Sequence, residues 1–231
     1  MTVPEEIVPG VFGIDLGFVN AFVLVDDDVT VIDTGLPRSY DKVSAALASI
    51  GREISNIALT HYHFDHIGGL SKLAGPGRRV FVHSLDAPVV RGDRKEPPPS
   101  APLPLKLVLT ILRPIIFGGS PAAVRVDQEI GEGDEIPGSG GLRAVHTPGH
   151  TPGHVSFLHP AKRVLFVGDA AQNRRALGTP PPFGTEDMDQ AKRTLAKIAE
   201  LDFDTAVFGH GTVLRGKANA EFRKLADRLA S

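Results

Sequence analysis

Short apolar runs that alternate with turn residues characterise the first part of the chain. Three such runs, at residues 8–14, 21–25 and 29–32, predict a meander of strands at the edge of a sheet. Apolar positions then recur at helical spacing in residues 39–50, which predicts a helix. Residues 56–60 form another short apolar run, so a buried strand is expected to follow that helix.

The rest of the chain continues to mix strands and helices. The pattern predicts a short helix at residues 67–73, a strand at 79–82, and a hairpin made of residues 155–158 and 163–167. Amphipathic helices are predicted at residues 187–201 and 218–229, with a strand at 206–208 between them. With 231 residues, of which 42% are hydrophobic, the chain fits one large α/β domain or two small ones.

A proline-rich stretch interrupts this pattern. Residues 96–102 predict a stiff, exposed connection with polyproline-like backbone. The apolar residues 103–117 follow, but this stretch is too short to span a membrane and contains Lys106 and Arg113. Three interpretations stay open for it: a helix packed on the domain, a contact in a homodimer, or an apolar wall over a substrate site. We therefore treat residues 93–120 as an insertion.

Composition and charge argue against several kinds of partner and site. The chain has 25 Lys and Arg against 27 Asp and Glu, a formal net charge of −2, so no basic surplus indicates nucleic acid or an anionic membrane as a partner. The absence of cysteine excludes disulfides, thiol nucleophiles and cysteine-ligated zinc sites. The first residues are acidic and lack a long apolar run, so a cytoplasmic location is expected. A small molecule remains as the expected substrate.

Four side chains that can bind metal lie within six consecutive positions. His61, His63, Asp65 and His66 form the pattern H-x-H-x-D-H directly after the predicted strand at residues 56–60. The first two histidines, two positions apart on extended backbone, can point to the same side, whereas Asp65 and His66 follow where the chain turns into a helix. The stretch therefore predicts two neighbouring metal positions. Imidazole and carboxylate without thiolate suit Zn, Mn or Fe.

Three later segments supply further candidate ligands. His150 lies between two Pro-Gly turns, and we interpret His146 and His154, four positions away on either side, as supporting residues rather than ligands. Asp169 follows a glycine at the end of a predicted strand, where its two oxygens are suited to bridging two metals. His210 also follows a strand and a glycine, so it is a further candidate.

Asp33 ends a predicted strand and precedes a glycine turn. Two interpretations of this carboxylate are equally consistent with the sequence. It is either a turn residue or a group that orients a metal-binding histidine. Neither role requires contact with a substrate.

The order of these motifs resembles the metallo-β-lactamase-fold hydrolase superfamily, near its glyoxalase II-like and lactonase-like branches. The match covers Asp33 with its glycine turn, H-x-H-x-D-H, T-P-G-H-T, G-D and G-H, from about residue 7 to residue 210. It implies a single domain over residues 1–231, folded as an αββα sandwich, with two divalent metal ions, zinc first and Mn or Fe as alternatives. The implied ligands are His61, His63 and His150 for the first metal, Asp65, His66 and His210 for the second, and Asp169 between them.

The resemblance implies a hydrolase in which a hydroxide that bridges the two metals cleaves an ester, a lactone or a thioester. Asp65 and Asp169 are the expected catalytic carboxylates, Asp65 by taking a proton as the tetrahedral species collapses. The chain lacks the tyrosine that acyl-homoserine lactonases place after the G-D aspartate, and Asn173, Arg174 or Arg175 could supply a donor instead. Alternatives that stay open are a mononuclear iron enzyme resembling persulfide dioxygenases, and a β-lactam-hydrolysing or phosphodiester-hydrolysing member.

Overall fold

The computed structural model describes residues 4–98 and 121–230, which form strands, helices and short connections. The strands in these ranges are β1 (Glu5–Val8), β2 (Val11–Asp15), β3 (Asn20–Val25), β4 (Val29–Ile32), β5 (Asn56–Ala58), β6 (Arg79–His83), β7 (Gln128–Ile130), β8 (Arg143–His146), β9 (Val155–His159), β10 (Val164–Gly168), β11 (Gln172–Asn173), β12 (Leu177–Gly178) and β13 (Thr205–Phe208). The helices are α1 (Tyr40–Ile50), α2 (Phe64–Ile67), α3 (Leu70–Leu73), α4 (Ala87–Val90), α5 (Met188–Ala199) and α6 (Ala218–Ala230).

The strands form two main sheets. Strands β1 to β7 pair in sequence order, antiparallel as far as β4 and parallel from β4 to β7. The second sheet has the order β13, β10, β9, β8, with β13 parallel to β10. The edge meander predicted for residues 8–32 is present, but its first run is divided between β1 and β2. A turn at Gly10, whose φ of 78° favours glycine, separates these two strands.

Side chains that alternate along the strands fill three apolar cores. Phe22 and Phe81 of the first sheet meet Phe157 and Phe166 of the second between the sheets, and the rings of Phe22 and Phe166 lie 5.7 Å apart, edge to face. The outer face of the first sheet packs against helices α1 to α4, and the second sheet packs against α5 and α6. Burial of each aromatic side chain contributes about 1.5–3 kcal/mol. The αββα sandwich expected from the sequence is therefore confirmed.

The segment after β5 departs from the single short helix predicted at residues 67–73. It consists of two one-turn helices, α2 and α3, separated by Gly68 and Gly69. A Cβ atom on Gly68 would lie 2.6 Å from the Leu36 carbonyl carbon, and one on Gly69 would lie 2.6 Å from the Thr34 carbonyl oxygen. The two glycines are thus required because this segment packs directly on the chain that leaves β4.

Described residues that flank the predicted insertion lie next to each other. Residues 99–120, which include the apolar stretch 103–117, lie outside the described residues, so the three interpretations of that stretch stay open. Val90, at the end of α4, precedes this range and Val124 follows it. The Val124 amide donates a hydrogen bond to the Val90 carbonyl oxygen at 3.0 Å. Within the ranges that the structure describes, no helix is long and apolar enough to cross a membrane.

Candidate metal centre

The H-x-H-x-D-H stretch lies where β5 ends and α2 begins. The backbone of His63 is extended, with φ −61° and ψ 144°, and the helix starts at the next residue. His61 and His63 therefore project from extended chain, whereas Asp65 and His66 belong to the first turn of α2. His61, Asp65 and His66 are buried and His63 is partly exposed. A change of backbone conformation within six residues thus aims four side chains at one region.

His150 is supplied by the tight loop between β8 and β9. This loop packs against the start of α5 so closely that a Cβ atom on Gly149 would lie 2.6 Å from the Ala191 Cα atom. Gly149 also has a φ of 127°, in the region that favours glycine. Its carbonyl oxygen accepts a hydrogen bond from the Asp187 amide at 2.9 Å, and that of His150 accepts one from Glu186 at 3.1 Å. These contacts hold the backbone of the loop that carries His150.

Asp169 and His210 follow the ends of two neighbouring parallel strands, β10 and β13. The Gly209 amide donates to the Gly168 carbonyl oxygen at 3.0 Å, which keeps the two strand ends together. Because parallel strands end at the same edge of a sheet, both side chains reach the edge where the β5 and β8 loops also converge. Five segments that are far apart in sequence are thereby joined at one edge of the sandwich, since Asp33 follows β4 there too.

Three imidazoles form one group within this cluster. The Nδ1 atom of His63 lies 3.1 Å from Nε2 of His61 and 3.0 Å from Nε2 of His150. Zinc–nitrogen bonds of about 2.0–2.1 Å in a tetrahedral site put ligand nitrogens about 3.3 Å apart. The three nitrogens therefore have the spacing that a shared metal ion requires.

A second group surrounds Asp169. Its Oδ1 atom lies 3.5 Å from Nε2 of His66, and its Oδ2 atom lies 3.3 Å from Nε2 of His210 and 3.4 Å from Nε2 of His150. Asp65 completes the group, with Oδ2 at 3.3 Å from Nε2 of His210. The Asp169 carboxylate thus lies between the His150 side and the His210 side of the cluster, where it could serve two metal ions.

The chemistry of these atoms fits a cation. Both Nε2 of His66 and Oδ1 of Asp169 are buried without a hydrogen-bond partner among the described residues. A buried polar atom without a partner costs about 1–3 kcal/mol, so two of them facing each other call for a ligand. Two sets of three side chains, His61 with His63 and His150, and Asp65 with His66 and His210, each place their ligand atoms within 4.8 Å of one another.

The ring nitrogens that face away from the cluster are held by neighbouring groups. His66 Nδ1 lies 2.8 Å from Oδ2 of Asp33, which also accepts a hydrogen bond from the Thr60 hydroxyl at 2.7 Å. His210 Nδ1 lies 2.8 Å from the Phe18 carbonyl oxygen, an acceptor, so this nitrogen carries a proton and Nε2 is the ring nitrogen that faces the cluster. Such partners fix the orientation of a metal-binding imidazole. Asp33, whose φ is 58°, is both a turn residue and a partner of His66.

Charge divides the cluster into two halves. Burial and the neighbouring histidines hold the pKa values of His61 and His150 well below the ordinary value, so these rings are neutral. Burial also acts to lower the pKa of His66, but the carboxylates of Asp169 and Asp33 outweigh it and hold that pKa well above the ordinary value. Burial acts to raise the pKa of Asp169, and His210 and His66 reverse this effect. A divalent cation could replace the protons shared in this second half.

Sequence patterns did not single out Asp86, which joins two ligand-bearing loops. It is fully buried, and its carboxylate accepts hydrogen bonds from the Thr151 hydroxyl at 2.7 Å, the Gly153 amide at 2.8 Å and the Tyr62 amide at 3.3 Å. Burial raises the pKa of Asp86 to about 7 even though these three donors favour the charged form. An aspartate a few residues after a predicted strand carries no distinguishing signal in one sequence.

The two histidines that flank His150 make contacts of a different kind. His154 is buried, and its Nε2 atom accepts a hydrogen bond from the Asp169 amide at 2.9 Å, so it fixes the backbone of that aspartate. His146 stacks on His83, with ring centroids 4.2 Å apart, and its Nε2 atom donates to the Pro152 carbonyl oxygen at 2.9 Å. His154 thus contacts the backbone of a proposed ligand, whereas His146 contacts His83 and the loop that carries His150. The supporting role expected for each stays a prediction.

A cleft of about 210 Å³ opens directly over the cluster. His63, Asp65, His150, Asp169 and His210 all contribute to its floor. Its walls are largely apolar, and the apolar residues described there are Phe18, Phe64, Pro97, Pro98, Pro181 and Phe183. The tyrosine within the histidine stretch, Tyr62, also lines the cleft and donates its hydroxyl to Glu186. A small molecule with an apolar body could thus reach the candidate metal site.

The chain is similar to known proteins along most of its length. A family model described as the metallo-beta-lactamase superfamily matches residues 14–210. The "Probable metallo-hydrolase YflN" of Bacillus subtilis is 30% identical, over 98% of this chain and 93% of that protein. The "Atrochrysone carboxyl ACP thioesterase" of Aspergillus fumigatus is 29% identical, over 80% of this chain and 47% of that protein.

A solved structure agrees with the fold. The crystal structure of TTHA1623 in a di-iron-bound form superposes with a TM-score of 0.67 and 24% identity, and covers 90% of this chain and 93% of that one. At this level of identity the likeness bears on the fold alone. Because the family model spans the core of both sheets and a relative matches almost from end to end, this chain belongs to the metallo-beta-lactamase superfamily.

Proposed function

We propose that this protein is a dinuclear metal-dependent hydrolase that cleaves an ester, a lactone or a thioester. One observation carries the proposal: the buried Asp169 carboxylate lies between two groups of metal-binding side chains, and one of its oxygens faces an imidazole nitrogen that also lacks a partner. The proposed ligands are His61, His63, Asp65, His66, His150, Asp169 and His210. Membership of a family whose relatives include a metallo-hydrolase and a thioesterase supports the reaction class.

Two divalent metals, zinc in this proposal, would polarise a carbonyl group and lower the pKa of a coordinated water to about 7. The chain itself would position the substrate and manage the proton. Asp65 lines the cleft and lies next to His210, so its carboxylate is the proposed acceptor of the proton that is released as the tetrahedral species collapses. Asp33 would keep His66 in place through its 2.8 Å contact, without touching the substrate.

The apolar cleft supports a carbonyl substrate with a nonpolar acyl or aromatic part. Phe18 and Phe183 are 43% and 57% exposed, although aromatic side chains of this size are usually buried. The formal net charge of −2 gives no general attraction for a polyanion, so a phosphodiester in a nucleic acid is a poorer fit. An uncharged or singly charged small ester is therefore the proposed substrate class.

Elemental analysis of protein purified without chelators, followed by turnover of a panel of esters, lactones and thioesters, tests this proposal. We expect about two zinc or manganese ions per chain together with hydrolysis. His61→Ala should lose metal and lower turnover by more than about 100-fold, because it removes a ligand rather than a supporting group. His159→Asn is the matched control, since His159 lies at the end of β9 and faces Asp26.

Two results would contradict the proposal. Retention of both metal content and turnover in His61→Ala would show that the histidine cluster is not the metal site. One iron per chain with oxygen consumption on a sulfur substrate, and without hydrolysis, would mean that the cluster binds metal but serves the iron-dependent oxygenation considered as an alternative.

A further inference from the structure

The cleft over the metal cluster contains one arginine, Arg174, among the residues described there. Arg174 lies in the turn between β11 and β12, five positions after Asp169. Its guanidinium carbon lies 5.4 Å from the centre of the Phe18 ring. No hydrogen bond or ion pair to its side chain occurs within the described residues, whereas Arg163 pairs with Asp202 and Asp204. Among the described residues, Arg174 thus presents a positive charge that is stacked on a ring but not paired with a carboxylate.

The hairpin that carries Arg174 is anchored to the metal cluster. The amide of Asn173 donates to the His210 carbonyl oxygen at 3.2 Å, and the Asn173 side chain donates to the Thr212 carbonyl oxygen at 3.0 Å. Phe18, on which Arg174 stacks, lies edge-on to the His210 ring with centroids 5.1 Å apart. The backbone next to Arg174 and the ring on which its guanidinium stacks are therefore both held beside the second metal group.

The distances limit what could reach both the metal site and the arginine. Because the two successive separations are 5.4 and 5.1 Å, the guanidinium lies no more than about 10.5 Å from the centre of the His210 ring. An extended chain advances about 1.2 Å per bond, so this upper limit corresponds to at most about nine bonds. A substrate whose carbonyl lies over the cluster could thus place a second polar group at Arg174.

The other charges in the cleft indicate which polar group this is. Glu96 and Glu186 also line it, and Glu186 lies on the His150 side, where its amide bonds the His150 carbonyl oxygen. Arg174 lies on the opposite, His210 side, so an anion there would be attracted without approaching Glu186. These two carboxylates, in addition to Asp65 and Asp169 among the proposed metal ligands, disfavour a doubly charged phosphate. A single carboxylate, which a guanidinium binds through two parallel hydrogen bonds, fits best.

We propose that Arg174 is a specificity-determining residue that binds a carboxylate on the substrate, so that the preferred substrates are half esters or half thioesters with an apolar body and a free carboxylate. This inference rests on the proposed hydrolase function. The carboxylate would contact Arg174 equally in the bound substrate and in the transition state, because it takes no part in bond cleavage. Its loss should therefore raise KM and leave kcat nearly unchanged.

The test compares 4-nitrophenyl hydrogen adipate, which carries a carboxylate, with its uncharged methyl diester, both hydrolysed by the metal-loaded protein. Arg174→Gln should raise KM for the half ester about tenfold and change KM for the diester less than twofold. Arg174→Lys should give an intermediate effect, because it keeps the charge but loses the planar fork. Arg175→Gln is the matched control, since Arg175 is exposed and does not line the cleft.

Two results would overturn the inference. An equal rise in KM for both esters in Arg174→Gln would show that Arg174 only supports Phe18, and an unchanged KM for both would show that Arg174 does not bind the carboxylate. If the metal-loaded protein hydrolyses neither ester, calorimetric binding of the half ester to wild type and Arg174→Gln still decides the role of Arg174. Weaker binding by the variant would support it, and equal binding would refute it. Absence of hydrolysis across the ester, lactone and thioester panel would instead refute the proposed function, so the two failures are distinguishable.

Discussion

Gly209 offers a way to disturb the metal cluster without changing any proposed ligand. It precedes His210, and its φ lies outside the left-handed region, so alanine can adopt its backbone conformation. A Cβ atom at this position would lie 2.6 Å from Cε1 of His66 and closer still to Oδ1 of Asp169. The methyl group of Gly209→Ala would thus occupy the space beside the two buried atoms that lack partners.

The size of the effect follows from these distances. Real Cβ atoms essentially never approach within 3.0 Å of another heavy atom, so the His66 ring must move by about 0.4 Å and the Asp169 carboxylate by more. Metal sites require ligand distances within about 0.2 Å of their ideal values. We therefore expect the second metal to bind at least about 10–100-fold more weakly and turnover to fall about 100-fold. The overpacking should also cost about 1–3 kcal/mol of stability.

Zinc titration of the metal-free protein against a chromophoric chelator measures this effect. Gly75→Ala is the matched control, because a Cβ atom there would meet nothing within 4 Å and the backbone has no positive φ. Thermal unfolding of the metal-free proteins separates the cost in stability from the loss of metal affinity. If Gly209→Ala binds two zinc ions as tightly as wild type and retains full turnover, the proposed ligand role of Asp169 and His66 is wrong.

Three further predictions concern protons and metal. Burial raises the pKa of Asp86 from 3.8 to about 7, so the folded protein holds a proton that the unfolded chain has lost, and the free energy of unfolding should fall by at most about 4 kcal/mol as the pH rises from about 4 to 7. Asp86→Asn should remove that slope in denaturant titrations, and an unchanged slope would contradict it. Burial acts to lower the pKa of His210, but Asp169 and Asp65 outweigh it and raise the pKa to about 10. Zinc uptake at pH 8 should therefore release at least one proton per chain into a weakly buffered indicator, and zinc affinity should rise with pH. Removal of the metal by a chelator should lower Tm, because free metal at 100 times its Kd stabilises the folded state by about 2.7 kcal/mol. Equal Tm values with and without chelator would show that metal binding does not stabilise the fold.

Much of the fold could be predicted because its signals are local. Apolar runs between turns indicated the strands of the edge meander, and apolar spacing indicated α1, α5 and α6 within a few residues of their observed bounds. The two one-turn helices around Gly68 and Gly69 were predicted as one, since a helical pattern of seven residues does not reveal that the glycines pack against the chain after β4. Short elements such as α4 and the β11–β12 hairpin depend on tertiary contacts and gave no clear periodic signal.

The sequence by itself determined the chemical type of the site. It carries H-x-H-x-D-H and, after three later turns or strands, a further histidine or aspartate. Because the chain has no cysteine, such a site can bind metal only through imidazole and carboxylate groups. Only the tertiary structure decided that these segments meet. It showed Asp169 lying between His150 and His210, Asp86 joining two loops, and Arg174 stacked on Phe18 beside the cluster. The physical reason is that spacing along the chain fixes which residues are neighbours on one element, whereas contacts across two sheets depend on how those sheets pack and where their strands end.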